Sequence, residues 1–170
     1  MAQASTTQRL VRHLVSDHRA VRRAFPAAAM DRIEQAIAAG EKTHRGQVCV
    51  AIEGALHAGR VVKRVTPRER ALEAFGLLRV WDTEENCGVL VYLLLADHAV
   101  EIVADRGIHR RVGDDAWTRI CRSMEEAFGA GRFADGVVEG VKAVSSLLAE
   151  HFPRDGAAGA NELSDRPVLL

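Results

Sequence analysis

Five oxygen-bearing side chains stand at two places that one hairpin would bring together. Asp82, Glu84, Glu85 and Asn86 form a loop just ahead of an apolar run, Val89–Leu95, and Asp105 follows an alternating run, Ala99–Ala104. If the two runs pair antiparallel across a turn at Ala96-Asp97-His98, Asp105 lies beside Gly88, at the sheet end where the acidic loop enters. A hard divalent cation needs about 6–8 oxygen ligands, several of them carboxylates on loops, and this rim can supply them with loop carbonyls. Calcium is the first candidate, with magnesium or manganese as alternatives. The competing reading is ordinary solvated acid, with nearby Asp114 or Asp115 as a helix N-cap. An EF-hand is excluded, because no D-x-D-x-D-G ladder ending in Glu is present.

The elements that would position this rim can be read from periodicity. Gln47–Glu53 alternates as a strand, and Thr66-Pro67-Arg68-Glu69 is a capping box with proline at the first helical position. That helix, with Ala71, Leu72, Phe75 and Leu78 on its stripe, connects the first strand to Val89–Leu95. The second strand is apolar on both faces and is expected at the centre, joined to the first by a parallel right-handed crossover. Ala58–Val65 reads as a short edge strand or a loop.

Before the first strand, residues 5–24 read as a basic helical arm. Arg9, Arg12, Arg19, Arg22 and Arg23 face a single acid, Asp17, and the apolar stripe Leu10, Leu14 and Val21 is thin. The arm is expected to dock on its own domain. A helix over about Pro26–Thr43 carries Met30, Ile33 and Ile37 on one face. After the hairpin, one helix carries Trp117, Ile120, Cys121, Met124 and Phe128, and another runs from about Phe133 to His151. Residues 154–170 form a turn-rich, extended tail that Val168, Leu169 and Leu170 can anchor. The division is therefore an arm over 1–24, one domain over 25–153 and a tail over 154–170.

Charge and cysteine usage exclude several function classes. Twenty-three basic residues balance twenty-three acidic ones, so no global field draws the protein to nucleic acid. The longest apolar run is too short to span a bilayer, no secretory leader is evident, and a cytoplasmic location is expected. Cys49, Cys87 and Cys121 are widely spaced without a C-x-x-C, which fits free thiols. Glu41 and His44 stand three residues apart at a helix end, but a zinc site needs more ligands, and the His is expected to compensate the helix dipole. Glu53 is expected in a rim salt bridge.

The segments RALEAFGLLRVWDTEENCGVLVYLLLADHAVEIVADRGI, GAGRFADGVVEGVKAVSSLLAEHFP and NELSDRPVLL together resemble the TPM domain family, in its short, leaderless bacterial branch. The resemblance covers most of residues 25–170. It implies an α/β/α sandwich with a small mixed sheet of three to four strands flanked by helices, and a divalent-cation site, commonly calcium, among acidic loops. It also implies a partner at the membrane, since short members often accompany LemA-type membrane proteins. Asp82, Asn86 and Gly88 stand where the family has an Asp-Asn-Asn-Gly or Asp-Asn-Gly-Gly loop, while Glu84, Glu85 and Cys87 depart from it. Asp105-Arg106-Gly107 replaces the Gly-Tyr-Gly of secreted branches.

The family has also been labelled a phosphatase. This chain has no cysteine opening a C-x5-R loop, no D-x-D-x-T and no phosphate-cradling P-loop. Only a metal-assisted hydrolysis of phosphomonoesters is left, with Arg106 clamping an anionic oxygen. The preferred reading is a binding or regulatory domain with a cation rim, and the metal-dependent phosphatase is the alternative.

Overall fold

A computed structural model describes residues 6–16, 18–154, 156 and 161–170. The first five residues and Asp17 of the arm, and residues 155 and 157–160 of the tail, lie outside the described residues. In chain order the elements are α1 Thr6–Val15, α2 His18–Ala24, α3 Ala27–Gly40, β1 Gln47–Glu53, α4 Ala58–Val62, α5 Pro67–Leu77, β2 Gly88–Leu94, a 3-10 turn Leu95–Asp97, β3 Ala99–Ala104, α6 Arg106–Val112, α7 Asp114–Gly129, α8 Phe133–His151 and β4 Val168–Leu169.

The sheet order is β3-β2-β1-β4. β1 and β2 are parallel, in the register Val48↔Val89 to Glu53↔Leu94, and β2 and β3 are antiparallel, from Val89↔Ala104 to Leu94↔Ala99. Both expected pairings are therefore present. All seven residues of β1 and all seven of β2 are buried, so both faces of the sheet must be covered. Val48, Val50, Ile52, Val89, Val91 and Leu93 pack under α3, α7 and α8, while Cys49, Ala51, Leu90, Tyr92 and Leu94 pack under α5 and the segment around Leu56 and Val61. Two helical layers around one sheet make the α/β/α sandwich.

The crossover helix starts as its capping box requires. The Glu69 N–H donates to Thr66 Oγ1 at 3.1 Å, and the Glu69 carboxylate accepts the Thr66 N–H at 2.7 Å. Its inward face differs from the expected stripe. Ala71 and Ala74 are the fully buried residues, so the helix lies close on the sheet; Phe75 is displaced to a half-buried flank and Leu72 is exposed. Trp117 and Phe128 are buried as the helical spacing implied. Ala58–Val65 contains neither a strand nor only loop. The His57 side chain accepts the Gly59 N–H and opens α4, and the edge of β1 goes instead to the tail, where Val168 pairs with Ala51 and Leu169 with Ile52.

The arm is two helices, and α1 docks through Arg9, His13 and the partly buried Leu10. Arg9 donates to both Asp97 oxygens at 3.2 and 2.9 Å through Nε, and the buried His13 accepts the Leu56 N–H at 2.9 Å. Its apolar residues Val11, Leu14 and Val15 point outward. Val21 and Phe25 then enter the main core. None of the three cysteines is paired, and burial pushes the Cys49 thiol up to about 11.

The central position of β2 sets the cost of hollowing it. Leu93 is fully buried, so Leu93→Ala is expected to destabilise the protein by about 2–5 kcal/mol in denaturant melts. A loss below about 1 kcal/mol would show that the site collapses without leaving a cavity.

Candidate functional site

The acidic rim forms where β1 and β2 begin and β3 ends. Gly88 is its hinge. A side chain there would place Cβ 1.9 Å from the Val80 carbonyl oxygen, so only glycine lets the loop from Val80 to Cys87 cross over the strand end. Asp105 closes the rim from the other side: its N–H donates to the Gly88 carbonyl at 2.9 Å, and its carboxylate accepts the Gly88 N–H at 3.1 Å. The hairpin therefore returns Asp105 beside Gly88. Asp105 occupies the N-cap position of α6 without capping it, and burial raises its carboxyl against the hydrogen bond from Gly88. Asp105-Arg106-Gly107 opens the helix α6.

The loop acids are drawn to separate partners. Asp82 pairs with Arg79 three residues earlier, and Glu85 pairs with Arg45 at 3.1 Å. Glu84 contributes its N–H to the carboxylate of Glu162 at 2.8 Å, which fastens the tail over the loop. Asn86 adopts a left-handed backbone conformation, φ 51°, and its N–H donates to the Thr83 carbonyl, which tightens the turn. Asp114 stands near His109 at 3.4 Å, outside this group. One sheet end therefore gathers Asp82, Glu84, Glu85, Asn86 and Asp105, but among the described residues no three His, Cys, Asp or Glu side chains converge as a metal would require. As arranged, these residues do not fit a calcium ion.

Behind the rim lies a buried polar layer. The Glu41 carboxylate accepts the Val48 N–H at 2.8 Å and so starts β1; burial raises its pKa to about 7, against that hydrogen bond. A sequence signal exists, because Glu41 continues the Met30, Ile33, Ile37 stripe at helical spacing. The fully buried His44 holds the Gly46 carbonyl at 3.0 Å through Nδ1, which must then carry the proton. Burial lowers its pKa to about 4, despite the bond to Gly46. His44 Nε2 and Ser145 Oγ are both buried without a hydrogen-bond partner, and both border the space beside Gly40. Gln47 Oε1 accepts the N–H groups of Glu162 and Leu163 and seats the tail.

Glu53 also lies inside rather than on a rim. Buried under α5, its carboxylate takes Arg70 Nε at 2.7 Å and the Tyr92 hydroxyl at 2.6 Å. Arg106, the anion clamp of the phosphatase reading, is exposed.

Comparison with known proteins places these features in a family context. The model of the TPM domain family matches residues 22–147, which is more than half of the chain. Among solved structures, the NMR structure of BA42 protein from the psychrophilic bacterium Bizionia argentinensis is similar with a TM-score of 0.75 and 27% identity, over 85% of this chain and 94% of that one. No curated protein matches the chain. Among the described residues, no helix is long and apolar enough to cross a membrane.

The buried layer yields a pH prediction in which two terms oppose each other. Glu41, raised to about 7 from 4.5, adds stability that is complete below pH 4.5 and is lost as pH rises through 7. His44, lowered to about 4 from 6.5, adds stability that is complete above pH 6.5 and is lost as pH falls through 4. Relative to wild type, Glu41→Gln should therefore gain about 3 kcal/mol between pH 4.5 and 7, and His44→Gln should lose a similar amount between pH 4 and 6.5. Urea melts at stepped pH check both signs. Parallel profiles for variants and wild type would refute the assignment.

Proposed function

The chain belongs to the TPM domain family, and on that premise we propose that it works as a binding and regulatory domain acting with a membrane-associated protein partner, a LemA-type protein being the first to test. The observation that carries this reading is at the entrance to the rim. Leu77, the last residue of α5, and Trp81, on the turn that follows, are 67% and 49% exposed just ahead of Asp82, Glu84 and Glu85. An exposed indole followed by three acids suits a partner segment with apolar and basic residues, because aromatic anchors dominate binding and surrounding charges steer association.

The rim acids serve this surface better than they serve catalysis. Asp82 and Glu85 are each already matched by an arginine, and exposed pairs of this kind exchange readily for a partner's basic groups. Calcium, or magnesium or manganese in its place, is assigned only a low-affinity place here, since the carboxylates must first turn from Arg79, Arg45 and the Gly88 N–H. The phosphatase alternative, which the name of the family model carries, needs the same rearrangement before any water is activated.

Two measurements test this reading. Trp81→Ala should leave the melting temperature nearly unchanged, since the ring is half exposed, and should weaken capture of a LemA-type protein from detergent-solubilised membranes at least ten-fold. Equal capture by the variant would refute the surface. In the second, calcium, magnesium or manganese should raise the melting temperature only at millimolar concentration, and a phosphomonoester such as p-nitrophenyl phosphate should not turn over. Cation-dependent turnover that disappears in Asp82→Asn would instead establish the phosphatase.

A further inference from the structure

The arm and the helix it rests on gather a surface that the rim does not explain. α1 lies on α4 and on the turn Leu95–Asp97, and Arg9 and His13 fasten it there to Asp97, at 2.7 and 3.2 Å. With Arg9, Leu10 and His13 turned inward, the helical period sends Val11, Leu14 and Val15 away from the body, where they are 54%, 67% and 71% exposed. Three of the eight exposed large apolar side chains among the described residues therefore share one helix face. A shallow hollow of about 460 Å³, bordered by Thr7, Gln8, Val11 and Arg12, continues that face. An apolar patch rimmed by polar residues marks a contact surface.

The charge around this patch is mostly of one sign. Arg19, Arg22 and Arg23 on α2 are exposed, and so are Lys63 and Arg64 just past α4, beside Val62, which is also open to solvent. Among the described residues, none of these five cations has a side-chain hydrogen bond or ion pair. Arg19 stands four residues beyond Val15, so their Cα atoms lie within about 14 Å of each other. The acids packed nearby are already engaged: Asp97 takes Arg9 and Arg12, and Glu73 takes Arg60. Asp17 is the single acid in the sequence over residues 1–30. The chain is neutral as a whole, yet this face carries an excess of positive charge.

We propose that α1, α2 and the end of α4 dock the protein on the surface of an anionic phospholipid bilayer. Val11, Leu14 and Val15 enter the boundary between headgroups and acyl chains, and the five cations meet lipid phosphates around them. Two weak signals act together. Three aliphatic side chains alone give marginal membrane affinity, and each arginine or lysine close to an anionic surface strengthens it about five-fold. Attachment is therefore reversible, salt-dependent and selective for anionic lipid. A second copy is the poorer occupant, since packing stripe to stripe sets like charges against each other and leaves such contacts weak. The surface is separate from the rim, and the inference stands whether or not the rim binds a protein.

The test floats the full chain with phosphatidylcholine vesicles that contain about 30% phosphatidylglycerol, beside vesicles of phosphatidylcholine alone. Flotation is expected only with the anionic vesicles. Raising salt from about 0.1 to 1 M, which shortens the screening length from about 10 to 3 Å, should release the protein. Leu14→Gln with Val15→Gln, at exposed positions where glutamine keeps the helix, should weaken binding about ten-fold with an unchanged melting curve. Arg19→Gln with Arg23→Gln should weaken it about 25-fold, five-fold for each. Leu14→Trp should add emission that shifts to the blue on the vesicles and is quenched by brominated acyl chains. Trp81→Ala should float as wild type does, which separates failure of this face from failure of the rim. No flotation with anionic vesicles at low salt would overturn the proposal. So would equal flotation with neutral vesicles, or binding indifferent to either pair of glutamine substitutions. Light scattering that shows a dimer lost in Leu14→Gln with Val15→Gln would assign the stripe to a second copy in place of the bilayer. Binding to poly-glutamate with none to vesicles would assign it to an acidic protein, and either result overturns the proposal.

Discussion

Two neighbouring strands buried on both faces set the terms for the whole molecule. β1 and β2 expose no residue to solvent, so each must be paired on both edges or end at a protected one, and each face must carry a helical layer. α3, α7 and α8 cover one face and α5 the other. β3 covers one edge of the pair and the tail strand β4 covers the other. Even the polar interior follows from this constraint. Glu41 accepts the N–H of Val48 near the start of β1, and Glu53 at its end is paired with Arg70 and accepts the Tyr92 hydroxyl because neither terminus reaches water.

The parts of the fold that were legible in the sequence are those governed by local periodicity and by loop length. The doubly apolar run after Gly88 marks a central strand, the Thr66–Glu69 box marks the crossover helix, and the short turn at Ala96–His98 forces the hairpin. What escaped depended on residues distant in the chain. Nothing near Ala58 announces a helix, and the edge strand that was one of the two readings there has no place beside β1, because Val168 and Leu169, more than a hundred residues later, take the edge of β1 opposite β2. Phe75 reads as a core residue by spacing, yet Ala71 and Ala74 bring the helix so close that a large side chain must move to the flank.

The candidate site divides in the same way. The hairpin brings Asp105 to Gly88, as the two runs imply, because register follows from turn length. Sequence does not reveal which charge each acid will meet. Arg79 lies close enough in the chain to suspect as the partner of Asp82, whereas Arg45 against Glu85 and Glu162 against the Glu84 N–H are decided by how β1 and the tail pack. The burial of Glu41 and His44 escapes sequence for a related reason. Their spacing at a helix end has a common solvent-facing explanation, and only the position of α8 closes that face.

The docking of α1 bears on how molecules of this protein meet one another. A surface helix ordinarily turns its apolar side inward, but this one docks through Arg9, His13 and the partly buried Leu10, and Val11, Leu14 and Val15 are left facing water. With no net charge to keep molecules apart, this apolar stripe is where weak attraction between them concentrates. Substituting Val11, Leu14 and Val15 with polar residues therefore lowers this attraction without touching the sheet.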